Sequence, residues 1–494
     1  MNDTAKVISL WPTNGLHGRR KIYTDKQEIT EANVVEVVSK ALAVHAKNRA
    51  EIQYLYDYSK GKQDIRSRRK QVRPEINNKV TVNHANEIVT FKSAYLLGEP
   101  IQYVSVGDDD KVSENVNRLN EYMRAESKEA RDKEIADWLH ICGVGVRMVL
   151  PDDTPVMEGS PVSLYTLDPR DAFVIYWSGL GNKPLAGVYR QRDEDGNWYS
   201  CVYTATNYYE VAGDEVITNE AHILNQIPII EYVNDDSRMG AFEGVVPLLN
   251  AINTVVSNRV DDIEQYVQSL LVFENCDIDS EQFKQLREDG AIKIKGDEKN
   301  PARVYRVGEE LSQSGTQTAV DDLYQKVLTI CGMPNRNGGS STSDTGTAVI
   351  YRDGFAEAES RAKNTEKSWL RSETAFLKLV LHICSNTQGA EIELDIHNVR
   401  PEFTRKNFSN IQSKAQVLAE LLNNSKVHPK YAYIISGLFP DAEEAYRAGM
   451  EWNNTQQAEM EKTIEEAMKR EREERVRTGG QSDTATEEEG DPEV

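Results

Sequence analysis

Hydrophobic positions along the chain follow two periods, and the switch between them divides it. In residues 28–59, Val34, Val35, Val38, Ala41 and Val44 recur at the spacing of one helix face. The stretch "VTVNHANEIVTFKSAYLLGEPIQYVS" opens with strand-like alternation, turns helical and is predicted to stop at Gly98 and Pro100. Between about 143 and 235 short β-branched and aromatic runs ("SLYTLDPRDAFVIYW", "GVYRQR", "WYSCVYT", "NYYEVAG") predict strands. Asp195-Gly196 lies between two of them as a hairpin turn.

From 243 the period is helical again. Val245, Leu249, Ile252, Val256, Val260, Ile263 and Val267 form one apolar stripe, and Pro247 is tolerable in a first turn. A helix over 243–273 would be about 46 Å long. Its stripe must be covered, by its own domain or by a neighbouring subunit. Residues 274–314 read as a small module. Ser280 caps a short helix that Gly290 stops, and "AIKIK" and "RVYRV" alternate as strands. A second helix, capped by Thr318, ends at Gly332-Met333-Pro334. A rod goes out, a module sits at its tip, and a shorter rod returns.

The stretch "MPNRNGGSSTSDTGTAVI" (333–350) then leads into a long predicted helix, 347–385, which Gly354 invites to kink. "AEIELDIHNV" alternates as a strand, and 409–424 is an amphipathic helix. Asp441 and Glu444 make a capping-box-like start. Residues 459–477 are charged all round, a helix that needs company or frays. Residues 478–494 carry six acids and no base, and disorder is expected there.

Composition narrows the function classes. Fifty-eight Lys and Arg stand against 80 Asp and Glu, a formal charge of −22. Such a chain is not built to grip a phosphate backbone over most of its surface. The exception is "IRSRRKQVRPEINN", a basic run that reads as a solvated loop, or else a contact with nucleic acid or an acidic neighbour. The five cysteines are scattered, which suggests reduced thiols and a cytosolic setting. No signal-peptide pattern opens the chain and no apolar run approaches a membrane span, so a soluble protein is expected.

Candidate chemistry is sparse. The Gly/Ser/Thr stretch lacks the Lys-Ser/Thr that a phosphate-binding loop needs after its second glycine. Asp344-Thr345-Gly346 matches an aspartic-protease triplet, but "SSTS" precedes it where that chemistry wants an apolar strand. Asp344 or Thr345 serves more simply as a helix cap. Eight dispersed histidines give no zinc spacing, and "GDDDK" (107–111) reads as an acidic turn rather than a cation site. No cofactor is expected, and nothing converges on catalysis.

The order of parts is a signature in itself. "YDYSKGKQDI", "VTVNHANEIVTFKSAYLLGEPI", "LDPRDAFVIY" and "QIPIIEYVND" before a long helix, then "GMPN…GTA" opening another, resemble the portal proteins of tailed bacteriophages over roughly 30–450. They look most like the siphophage branch of Gram-positive hosts. The resemblance implies an α+β portal fold with long stem and wing helices, a β-rich wing, a small clip and a helical crown. It implies a non-enzymatic ring, usually of twelve copies, at one capsid vertex, assembled in the host cytoplasm and retained in the virion. DNA would pass through it in packaging and ejection, without sequence specificity. Terminase, head-completion or adaptor proteins, and the major capsid and scaffold proteins would be its partners.

By position, residues 1–240 and 347–400 would form the wing, 241–273 and 315–333 the stem, and 401–478 the crown. The stem stripe would then pack subunit against subunit. Residues 274–314 would be the clip, with Asp279, Glu281, Lys284, Arg287, Lys293, Lys295 and Lys299 offered to terminase. A tunnel loop near DNA would comprise Asn335, Arg336, Asn337, Gly338, Gly339, Ser340, Ser341, Thr342, Ser343, Asp344 and Thr345. Its single base, single acid and small hydroxyl residues suit a gasket that touches DNA without sticking. Two other readings stay open: a scaffold or minor head protein, and a protease built on Asp344.

Overall fold

The first long helix, α1 (Val34–Ser59), serves two cores at once. Val34, Val37, Val38 and Ala41 lie on one sheet, whereas Ile52, Leu55 and Tyr58 lie in a second cluster with Val245, Leu249, Val327 and Leu328. The helix starts later than its periodicity suggested. Asn33 accepts from the Thr30 N–H and donates to the Glu28 carbonyl, holding residues 28–33 in turns. The structure is a computed structural model that describes residues 18–107, 109–152, 159–267, 271–275, 284, 301–306, 313–335, 354–389, 392–404, 411–439 and 441–478. It divides into two units, Met1–Lys406 and Asn407–Val494.

In the first unit α1 is followed by α2 (His84–Leu96), α3 (Asp110–Ala125) and α4 (Lys128–Cys142). The β-rich stretch is where the sequence placed it. Strands β1 (Ile22–Thr24), β2 (Gln102–Ser105) and β3 (Val144–Pro151) lead into β4 (Val162–Leu167), β5 (Ala172–Trp177) and β6 (Pro184–Arg192). Strands β7 (Trp198–Tyr203), β8 (Asn207–Ala212), β9 (Glu215–Ala221) and β10 (Ile229–Val233) complete it. All of these but β2 form a six-stranded sheet of order β1-β5-β6-β7-β8-β9 and a three-stranded sheet β10-β3-β4. The β6–β7 hairpin turns at Gly196, whose φ of +86° only glycine adopts freely.

Two long helices follow, α5 (Val246–Val267) and α6 (Gln313–Cys331), which pack on each other. Between them β11 (Leu271–Glu274) pairs antiparallel with β12 (Arg303–Arg306). The expected helix over 243–273 is therefore shorter, and its last residues are strand. "RVYRV" pairs with β11; "AIKIK" and the Ser280 cap lie outside the described residues. Thr318 does not cap α6. It sits inside the helix, where its hydroxyl donates to the Ser314 carbonyl one turn back, so the helix can begin earlier.

Helix α7 (Phe355–Asn386) starts immediately after Gly354, whose φ of +85° ends any helical continuation there. The expected kink is instead a helix start, and 347–353 lie outside the described residues. Of the strand expected over 390–399, the described residues form only β13 (Val399–Glu402), on β2. Asp395 accepts from the His397 N–H and turns the chain before it. One core packs α3, α4, α7 and the three-stranded sheet together.

At its centre lies a buried ionic cluster. Glu373 of α7 faces Lys128 at 2.8 Å and Arg147 at 3.9 Å, and accepts from Tyr103 (2.6 Å), Tyr232 (2.9 Å) and Trp369 (3.2 Å). Asp132 pairs with both Lys128 and Arg147, and Arg147 also donates to the Tyr232 hydroxyl. Burial alone would raise the Glu373 pKa. Lys128 and Arg147 outweigh it and hold the carboxyl down to about 2.

The second unit has α8 (Ile411–Leu422), α9 (Pro429–Ser436) and α10 (Ala442–Thr478). Asp441 accepts from the Glu443 and Glu444 N–H groups, so it is a cap, but Glu444 turns to Arg447 instead of closing a box. The charged stretch 459–477 is one continuous helix with the residues before it.

Candidate functional site

Two kinds of stripe run along helix α5. Along α5 the apolar stripe is covered only in part. Val245, Leu249 and Ile252 are buried against α1, α2 and α6, Val256 and Val260 are half-buried, and Ile263 is 41% exposed. Val267 is the last residue of the helix. The cover thus thins steadily towards the tip.

Beside it runs a polar stripe that sequence reasoning missed: Asn253, Ser257 and Asp261, four apart and all buried. Each accepts one backbone N–H from an extended segment lying across the helix. Val82 donates to Asn253 (2.8 Å), Val80 to Ser257 (3.0 Å) and Asn78 to Asp261 (2.7 Å). Two extended residues advance about 6.6 Å and four helical residues about 6.0 Å, so the periods match. This explains the strand-like "VTV": its N–H groups pair with a helix face instead of a sheet.

The basic run closes the same strap. Arg68 is buried and pairs with Asp261 at 2.7 Å, Lys70 reaches it at 3.3 Å, and Arg68 also binds Asn258. At these two residues the expected solvated loop is instead a clamp on an acidic neighbour, while Arg66, Arg69 and Arg73 remain exposed. The signal was legible as the four-residue polar period on α5, but its partners lie far away in sequence.

At the other end of α6 the chain leaves and re-enters the fold through two touching points. Gly332, with φ of +63°, lies under the Arg361 side chain, so closely that a Cβ would come within 2.3 Å of it. Arg361 donates to the Ile330 carbonyl at 2.6 Å and pairs with Glu357. A Cβ on Gly354 would lie 3.6 Å from the Pro334 Cα. The roots of the stretch quoted above are thus neighbours.

Of the loop candidates only Asn335 is among the described residues. The rest, Arg336 through Thr345, with the Asp344 or Thr345 cap and the protease triplet, lie outside them. Lys284 is described and exposed, while Asp279, Glu281, Arg287, Lys293, Lys295 and Lys299 also lie outside. Among the described residues no group of three His, Cys, Asp or Glu side chains could hold a metal ion, and no helix is long and apolar enough to cross a membrane.

Residues 39–470 match the family model of phage portal proteins of the SPP1 Gp6-like type. The chain belongs to that family. Portal proteins are structural rather than enzymatic components of the bacteriophage virion, in its head-to-tail connection. No curated protein matches. Among solved structures the chain is similar to one from the neck of an empty GTA particle, at 12% identity and TM-score 0.43, covering 72% of this chain and 90% of that one. A chain from the virion of a native gene transfer agent particle gives 10% identity and TM-score 0.41 at the same coverage.

Proposed function

We propose that this portal protein forms a closed ring, of about twelve copies, at one capsid vertex and serves as the conduit for DNA in packaging and ejection. We assign it to the siphophage branch of Gram-positive hosts on the sequence signature quoted above. The observation that carries the ring is the α5 stripe, covered at Val245 and Leu249 and open at Ile263. A second copy of the stem pair supplies the missing cover. The strap occupies one flank of α5 and α6 another, which leaves the flank around Ile263 for that neighbour. The acidic charge of −22 favours brief contact with DNA over retention.

Within this reading residues 335–346 form the tunnel loop, its roots held at Pro334 and Gly354. Residues 274–314 form the clip, which receives terminase and later the head-completion proteins. Residues 401–478 form the crown, and capsid and scaffold proteins meet the wing.

Native mass spectrometry with negative-stain imaging of the purified chain tests the ring; about a dozen subunits around a hole are expected. Ile263→Glu is expected to leave the monomer within about 0.5 kcal/mol of the parent, because the residue is open there. The same change should abolish the ring, because it buries a carboxylate between subunits. Rings of unchanged size and stability in this variant would remove the stripe from the interface. Deleting 276–300 should spare ring assembly and abolish packaging in a complementation assay; loss of folding would refute the clip assignment.

A further inference from the structure

Lys92 of α2 is half-buried. It makes no hydrogen bond or ion pair among the described residues. It lines a cavity of about 420 Å³ bounded by α2, the end of α6, the start of α7 and the turn 234–241. Arg361 lines the same space, with its charge partly answered by Glu357. So does Asn364, whose side chain has no partner among the described residues. The carboxylate in the lining, Asp235, is exposed, and its Oδ1 accepts from the Ser237 hydroxyl and the Arg238 N–H. Burial holds His140 down to about 3 and Cys331 up to about 11, so near neutral pH both are uncharged.

Lys92 feels the Glu357 carboxylate without pairing with it, and an anion in the adjoining cavity would give it a direct partner. We propose that this cavity is a binding site for a phosphate group, held by Lys92 and Asn364 with Arg361 at its edge. The site lies against Gly332, one root of the tunnel loop, and takes either free inorganic phosphate or a phosphate of passing DNA. Burial, the largest effect, and the Arg361 guanidinium lower the Lys92 pKa against the opposing pull of Cys331 and Glu357. The proposal does not depend on ring formation, so its failure would leave the portal reading untouched.

The test is thermal unfolding of the full chain in tens of millimolar inorganic phosphate against chloride of matched ionic strength, with phosphorus NMR line broadening as the direct readout. Phosphate is expected to raise the midpoint by about 1–3 °C beyond the chloride control. Lys92→Met should remove that increment without lowering the midpoint in chloride, since a half-buried charge with no direct partner is replaced by an apolar chain. Asn364→Ala should weaken the increment, and Lys363→Met, a change at an exposed lysine, should keep it. Equal midpoints in phosphate and chloride, or an increment that survives Lys92→Met, would overturn the site. Displacement of phosphate by a double-stranded oligonucleotide supports the site with DNA as the source; binding undisturbed by the oligonucleotide supports it with the free ion.

Discussion

Glu373→Ala is expected to destabilise the first unit by about 3–5 kcal/mol, measured by denaturant unfolding. The cost is not the loss of one contact. Lys128 and Arg147 stay buried with Asp132 as their remaining carboxylate, and Tyr103, Tyr232 and Trp369 lose their common acceptor. Glu373→Gln keeps an acceptor and should cost less. The same group fixes an acid limit. Its folded pKa, about 2, lies below the ordinary carboxylate value, so its contribution is full above that ordinary value and is lost as pH falls towards 2. The alanine variant should show a flatter stability profile across that window. A loss below about 1 kcal/mol, or an unchanged profile, would show that the cluster relaxes around the vacancy.

Asp261→Ala is expected to cost a comparable amount, about 3–5 kcal/mol, for a related reason. It strips Arg68 of its carboxylate in a site where the guanidinium is buried, and leaves the Asn78 N–H without its acceptor. Asp261→Asn separates the two effects: it retains an acceptor for the N–H and removes the charge. Hydrogen exchange should locate the damage, with protection lost at Asn78, Val80 and Val82 before the rest of the unit. Protection unchanged at these amides in Asp261→Ala would refute the strap as a cooperative ladder.

Much of the architecture was legible because it is local. Asp195-Gly196 specifies its hairpin within two residues, and the end of α6 at Gly332 follows from the same chemistry of positive φ. The apolar stripe of α5 was legible as a period, and its burial gradient from Val245 to Ile263 was not, because cover is supplied by α1, α2 and α6. What escaped depends on partners distant in sequence. Asn253, Ser257 and Asp261 are ordinary polar residues until residues 78–82 are laid across them. Glu373, Lys128 and Arg147 come from three segments and share no motif. "AEIELDIHNV" carried the alternation of a strand, yet pairing waits until Val399, where β2 offers an edge.

The contact between Pro334 and Gly354 has a consequence for how such a chain can vary. Both points belong to the fixed fold, one tied to the end of α6 and the other to the first turn of α7. Whatever joins them is a cassette with fixed terminals. Doubling its length adds only about 0.6 kcal/mol of closure entropy, a small part of a domain's stability. Length and composition between these terminals can therefore vary at little cost to the fold. The two glycines and the arginine laid over one of them carry the constraint that the cassette itself escapes.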